Sequence, residues 1–397
     1  MHTRTDISRK LAVLAVAGSL LFGLTTLATA QSDAVRAIYL SAANVPTNLA
    51  NIHTYADPPK GFNPLAATDE ELATYGFPSR PDKQADPDHY ALWQRAMTAA
   101  KIRWHGDLKP APSSGRGMMI PAGSSHAQPV EQAQAQPQSG PKQWSNISGS
   151  GVVLDNGVKK WSNKTSFNDI WTEISVPVSQ LPFDNVAGCT APTFFSLSLA
   201  GIDGEIWVGA NGVPFFLPQE NAGVLSAVDC AGLASYYAYV GWESGFNTVF
   251  QVNPGDVFYT ELHAFGGCND GSAFVEDLTT LTYNSYTIGN PCFENPQIGR
   301  FANWIVWRPC CDGPGPDGAW PLANTIGISF EGATALNGNG KLFYAGSQAA
   351  STEILTMTDD GNTQNIEIVS QGSSGFQGQH SLFLQTTGCA FAGGCTP

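Results

Sequence analysis

The chain has 397 residues, 42% hydrophobic and only 13% charged, with a formal net charge of −14. The surplus is uneven: residues 31–143 carry ten basic and ten acidic side chains, whereas residues 144–397 carry six and twenty-two, a net of −16. A field of that sign repels phosphate backbones and anionic lipid, which argues against nucleic acid and an anionic membrane surface as partners.

The first thirty residues predict a secretory signal. Arg4, Arg9 and Lys10 form a basic start, an apolar run follows from Leu11 to about Leu27, and Ala28-Thr29-Ala30 supplies a small-residue cleavage site. The run is short and broken by Gly18, Ser19 and Gly23, unlike a membrane anchor. The expected product is exported, secreted or periplasmic, and free of the membrane once the signal is removed.

Residues 31–108 predict a small helical leader. Thr68-Asp69-Glu70-Glu71 is a capping box ahead of a short helix ending at Gly76, and Asp86-Pro87 is an N-cap with proline at the first helical position. Tyr90, Trp93, Met97, Ala100 and Trp104 then recur at spacings of three and four, one apolar stripe. A helix pair this small has no core of its own, so the stripe is expected to lie on the acidic domain that follows. Residues 109–143, rich in Pro, Gln, Ser and Gly, read as a protease-sensitive linker.

From Trp144 to about residue 387 the period changes to two. "DIWTEISVPV", "FFSLSLAGIDGEIWV", "SYYAYVGW", "TVFQVNPGDVFYTELHAF" and "TIGISFEGATAL" are strand-like and rich in Val, Ile, Thr, Tyr and Phe. Asp155-Asn156-Gly157, Asn253-Pro254-Gly255-Asp256 and Asn337-Gly338 punctuate them. The expected fold class is all-β: an antiparallel sandwich or barrel preceded by the helical leader.

All eight cysteines fall between Cys189 and Cys395, an even count that suits up to four disulfides in an oxidising compartment. Cys389 and Cys395 are spaced to staple a tail over residues 388–397, and Cys268 and Cys292 to clip a hairpin. The adjacent Cys310 and Cys311 are expected to pair with distant partners. No C-x-x-C occurs and this part holds only His263 and His380, so neither a metal site nor a cofactor is expected. The same scarcity of histidine, with no G-x-S-x-G, argues against a Ser-His-Asp triad. Asp359-Asp360-Gly361-Asn362 lacks the downstream glutamate of a calcium loop. No segment points to a glycosidase pair of facing carboxylates.

Several segments of the β region, taken in order, carry a resemblance. They are Trp144-Ser145, Trp171-Thr172-Glu173-Ile174-Ser175-Val176-Pro177, Gly201-Ile202-Asp203-Gly204, Asn221-Ala222-Gly223-Val224 and Tyr237-Ala238-Tyr239-Val240-Gly241-Trp242. Pro254-Gly255-Asp256, Asn303-Trp304-Ile305-Val306 and Ile326-Gly327-Ile328-Ser329-Phe330 complete the series. The ordered set resembles the eqolisins, the glutamic peptidase family of secreted acid endopeptidases. "GFNPLAATDEELATYGFPSRPD" is similar to a leader upstream of some eqolisin-like domains. The resemblance implies two large antiparallel sheets packed face to face, concanavalin-like, with a groove across one of them. It also implies a glutamate as general base on water and a glutamine amide for the oxyanion.

The same resemblance puts Trp307 at the glutamate position, where an indole can only donate. The glutamine position falls on Asn221, or on Gln219 if the register shifts. Asp203 keeps the family's place, whereas Leu199 and Gly241 replace a family tryptophan and acidic residue. Glu205 and Glu243 are candidate groove carboxylates, Trp144 a candidate for its floor, and Tyr239, Trp242 and Trp307 a candidate aromatic platform. Two readings follow: an acid endopeptidase by ancestry acting on polypeptide, or a non-catalytic module binding extended peptide or glycan. A purely structural exported protein is the third.

Overall fold

Alternation along single strands decides the architecture. In Phe301–Trp307, Ala302, Trp304 and Val306 enter one buried cluster, while Ile305 and Trp307 enter another on the opposite face. The computed structural model describes residues 35–111, 125–126, 142–146, 148–182, 193–208, 214–242, 245–267, 271–289, 296–309, 320–346, 352–358, 367–370 and 381–386. The expected signal segment, the expected tail after residue 387 and every cysteine except Cys230 lie outside them. Cys230 is disulfide-bonded.

In chain order the strands are β1 (Val45–Pro46), β2 (Ile52–Thr54), β3 (Ile102–Arg103), β4 (Lys109–Pro110), β5 (Ser125–His126), β6 (Lys142–Asn146), β7 (Gly149–Asp155) and β8 (Phe167–Ser175). Next come β9 (Val178–Gln180), β10 (Phe194–Val208), β11 (Pro214–Val228), β12 (Ala234–Trp242), β13 (Gly245–Gln251), β14 (Val257–His263), β15 (Gly271–Asp277) and β16 (Thr282–Ile288). The series ends with β17 (Phe301–Trp307), β18 (Asn324–Ile326), β19 (Ile328–Asn337), β20 (Leu342–Tyr344), β21 (Thr352–Met357), β22 (Glu367–Ser370) and β23 (Leu382–Thr386).

They form two large sheets packed face to face. Sheet I runs β1-β2-β16-β15-β14-β8-β19-β23-β22, and sheet II runs β4-β13-β12-β11-β10-β17-β7-β21-β6. Nearly all pairings are antiparallel; β3 on β16 and β6 beside β21 are parallel. The main core fills the space between the sheets, with Ile170, Ile174, Phe258 and Leu262 from sheet I meeting Ala200, Val224, Val240 and Trp304 from sheet II. This is the all-β sandwich expected from the period-two pattern.

The leader uses the outer face of sheet I. Thr68 and Glu71 close the capping box on the helix Asp69–Thr74, and Asp86 caps the helix Pro87–Ala99. Trp93, Ala96, Met97 and Leu72 pack on Trp171, Tyr259, Phe274 and Tyr283, which point away from the main core. Arg95 forks onto Glu173, with Nε 2.8 Å from Oε1. The helix ends sooner than the stripe suggested. Ala100 leaves helical geometry (ψ 85°), so Trp104 belongs to the extended segment beyond and packs edge-on against Phe250.

The expected linker is structured at its start. Lys109 and Pro110 pair with Thr248 and Asn247 as an edge strand of sheet II, and the Ala111 N–H donates to Phe246 O at 2.9 Å. The open edge of β13 presents unpaired backbone groups that any extended segment can satisfy, whatever its composition.

Candidate functional site

The residues singled out by sequence lie largely on the outer face of sheet II. Register sets them in rows. Gly149, Trp307, Leu197, Leu225 and Tyr237 lie side by side; Gly151, Ile305, Leu199, Gly223 and Tyr239 form the next row; Val153, Asn303, Gly201, Asn221 and Gly241 the third. Trp307 and Asn221 therefore share a face, but stand two strands and two rows apart. The face holds them about 16 Å apart at Cα, taking about 4.8 Å per strand and 3.3 Å per residue.

Trp307 is fully buried, so the expected exposed platform is not there. Its indole N–H donates to Phe216 O at 2.8 Å, and its ring packs on Phe246 with centroids 4.9 Å apart. Leu197, Leu199, Ile305, Phe216 and Tyr239 complete the cluster, joined by Ala111 from the chain entering along β4. An aromatic ring with one N–H buries itself when a carbonyl is within reach.

The row of amides is different. Asn221 Nδ2 donates to Gln219 O at 2.9 Å, and Asn303 Nδ2 donates to Asp203 O at 3.0 Å. These bonds fix which end of each amide is which. Both Oδ1 atoms are buried and accept no hydrogen bond, as is the Tyr239 hydroxyl, and the buried Trp144 Nε1 has no acceptor. Gly201 separates the two amides, and a Cβ there would meet Asn303 Oδ1 at 2.7 Å. Gly241 is equally constrained, at 3.0 Å from Asn221 Oδ1. Glycine at both positions leaves the space these oxygens occupy.

Asp203 is occupied otherwise. It adopts φ 58°, and its carboxylate accepts four backbone N–H groups, from Ile298, Gly299, Arg300 and Phe301, at 2.6–3.1 Å. Burial pushes the carboxyl above its usual range despite those bonds. Four donors use the four lone-pair sites, so Asp203 anchors the entry to β17 and has none left for a reacting water. Trp242 also departs from expectation. It is three residues from Tyr239, hence on the opposite face, and lies in the inter-sheet core. Trp144 is half-buried at the margin of the Trp307 cluster, Gln219 is buried on β11, Glu205 lies on β10 opposite Leu217, and Glu243 is outside the described residues.

Sequence reasoning missed a glutamate–glutamine contact between the sheets. Glu220, fully buried, accepts from Gln297 Nε2 at 2.7 Å, and its Oε1 has no partner. Gly271 makes room for it: a Cβ there would sit 2.1 Å from the Glu220 carboxyl carbon. Burial drives the carboxyl up to about 8, against the pull of Gln297 and His263. His263 bonds Asp169 and faces Glu261 at 3.7 Å; burial works against its charge, but Asp169 and the nearby carboxylates raise it to about 9. The available signal was phase. Glu220 shares the core-facing phase of Ala222 and Val224, where a carboxylate is out of place. Among the described residues, no group of three or more His, Cys, Asp or Glu could hold a metal ion.

Fold and site together define a two-sheet antiparallel sandwich with a helical leader and a partly apolar, amide-bearing outer face. No family model and no curated protein matches the sequence. Among solved structures, the chain is similar to scytalido-glutamic peptidase with a peptide-based transition state analog, at 17% identity and a TM-score of 0.42 over 61% of this chain and 100% of that one. SCP-B, a member of the eqolisin family in a complex with the tripeptide Ala-Ile-His, gives the same values. Tailspike protein 2 of Escherichia coli O157:H7 bacteriophage CAB120 follows at 9% identity and a TM-score of 0.21, over 50% of this chain and 27% of that one.

Proposed function

We propose that this chain is an exported, eqolisin-like β-sandwich protein that binds extended polypeptide on the outer face of sheet II without hydrolysing it. The observation that carries the reading is the pair of buried, unsatisfied acceptors on one row, Asn221 Oδ1 and Asn303 Oδ1. An extended peptide that displaces the cover over this row brings backbone N–H groups to both acceptors, and its side chains suit the surrounding aromatic and aliphatic bed. The chain's own Lys109–Ala111 supports the mode of binding: it extends along the β13 edge and seats Ala111 in the Trp307 cluster.

Three facts argue against hydrolysis there. Trp307 has no proton-accepting atom and its N–H is committed to Phe216. Asp203 is saturated by backbone donors. Glu220 has the chemistry of an acid or base and Gln297 that of an oxyanion donor, but both are fully buried between the sheets, where a substrate bond cannot enter.

The test incubates full-length protein with labelled, denatured protein at about pH 3–4, and in parallel titrates it with an extended peptide while following tryptophan fluorescence. The expected result is no cleavage, with saturable binding that Asn221→Ala and Asn303→Ala each weaken about tenfold, roughly one lost hydrogen bond. Cleavage abolished by both Asn221→Ala and Asp203→Asn would overturn the proposal in favour of an active acid endopeptidase. Glycan binding with no peptide binding would overturn the ligand class.

A further inference from the structure

The surface beneath the leader has its own pattern of charge and aromatic rings. On the outer face of sheet I, Glu173, Tyr259 and Glu276 lie side by side on β8, β14 and β15, and Trp171, Glu261 and Phe274 form the adjoining row. Glu261 is thus the diagonal neighbour of both other glutamates, at about 7–8 Å. Three carboxylates interleaved with four aromatic rings, Tyr283 included, do not resemble the inside of an ordinary packing interface.

The leader addresses two of the three with basic side chains. His89 lies flat on Trp171, with ring centroids 3.5 Å apart at an interplanar angle of 5°, and its Nε2 is 3.4 Å from Glu261 Oε2. Arg95 forks onto Glu173. His89 thus stacks on a ring while it faces one carboxylate, and Arg95 sets a planar guanidinium on another.

Glu276 is the exception. It has no exposed surface, and neither carboxylate oxygen accepts a hydrogen bond. Burial holds its carboxyl well above the usual range, and Lys101 is near enough only to oppose this. A leader shaped solely to cover this face would not leave a carboxyl dry and unmatched, because valine or leucine would pack there without the desolvation penalty.

We propose that the outer face of sheet I is a docking surface for a cationic polypeptide, and that the leader is its resident internal ligand, matching Glu173 and Glu261 and leaving Glu276 for a third basic group that an external ligand supplies. The partner is specified by its chemistry: a segment with at least three arginine, lysine or histidine side chains and apolar residues between them. Charge agrees, since residues 144–397 carry a net of −16 and the leader and linker are neutral. This surface is on the opposite sheet from the amide row, so the two proposals stand or fall separately.

The experiment uses the full chain and a labelled peptide in which four arginines alternate with leucines. Hydrogen exchange of the helix Pro87–Ala99 is measured with and without peptide, and affinity by fluorescence anisotropy. Added peptide should raise exchange across that helix at least tenfold. Glu276→Gln should weaken peptide binding about tenfold, while Asp229→Asn, on an exposed turn of the same domain, should change it less than twofold. Glu276→Gln alone should raise the melting temperature, since it removes a buried ionisable group that the leader leaves unmatched. Unchanged exchange in the helix, equal effects of the two substitutions, or a lower melting temperature for Glu276→Gln would each overturn the proposal.

Discussion

Replacing Glu220 by glutamine should change how stability depends on pH more than any surface substitution. In the folded chain this carboxyl titrates near 8, against an ordinary value of 4.5. Below about pH 4.5 both states are protonated and the group contributes no pH dependence. As pH rises, the unfolded chain loses the proton while the folded chain keeps it, so the native state binds more protons and stability falls. The slope approaches 1.4 kcal/mol per pH unit, and between pH 4.5 and 7.5 the loss amounts to about 3–4 kcal/mol. Glutamine has nearly the same shape, does not titrate, and can accept the Gln297 bond through its own carbonyl. Urea denaturation followed by tryptophan fluorescence at half-unit pH steps would give both curves. The expected difference curve is flat below pH 4.5 and then climbs in favour of Glu220→Gln, levelling off above 8. His263, raised to about 9, adds stability that is complete below its ordinary 6.5 and fades as pH rises through 9. Because Glu220→Gln also removes one of the charges raising His263, the variant loses that contribution at a lower pH, and the climb should be slightly shallower in that window. Parallel curves, differing by less than about 1 kcal/mol over this range, would refute the reasoning and place water beside Glu220.

Other outcomes follow from single contacts. Gly271→Ala drives a methyl group into the Glu220 carboxyl, and should lower stability by about 1–3 kcal/mol in calorimetry, with partial recovery when Glu220→Ala is added. Asp203→Ala strips four backbone donors of their acceptor and should cost at least about 3 kcal/mol, whereas Asp203→Asn keeps one oxygen and tolerates φ 58°, losing about half as much. Trp307→Ala should cost about 3–5 kcal/mol; Trp307→Glu should lower the melting temperature and yield no cleavage at pH 3–4, because the new carboxyl is buried two rows from Asn221.

What could be read from the sequence was local. Thr68 and Asp86 announced two helix starts because a side-chain oxygen three residues ahead of an amide fixes the first turn whatever the tertiary context. Period two announced the sandwich because alternation is a property of one strand. The misses concern relations between strands. Trp307 was identified as an oddity, yet its burial depends on Phe246 and Phe216 arriving from strands 60 to 90 residues away. Asp203 seemed a free carboxylate because nothing in Gly-Ile-Asp-Gly reveals that four amides from residues 298–301 will close on it. Gln297 gave no signal at all, since its segment has neither period nor motif. Trp242 could have been placed correctly: an odd spacing from Tyr239 already puts the two on opposite faces.

The course of the chain after the leader helix has a mechanical consequence. From Ala100 it crosses the rim of the sandwich, adding β3 to β16 of one sheet and, six residues past Arg103, β4 to β13 of the other. One short ribbon thus stitches the margins of both layers. Pulling the helix off its bed would load Ile102 first, then Trp104, then the seam at Lys109, so that a tug applied on one side of the molecule is felt as unzipping on the far side.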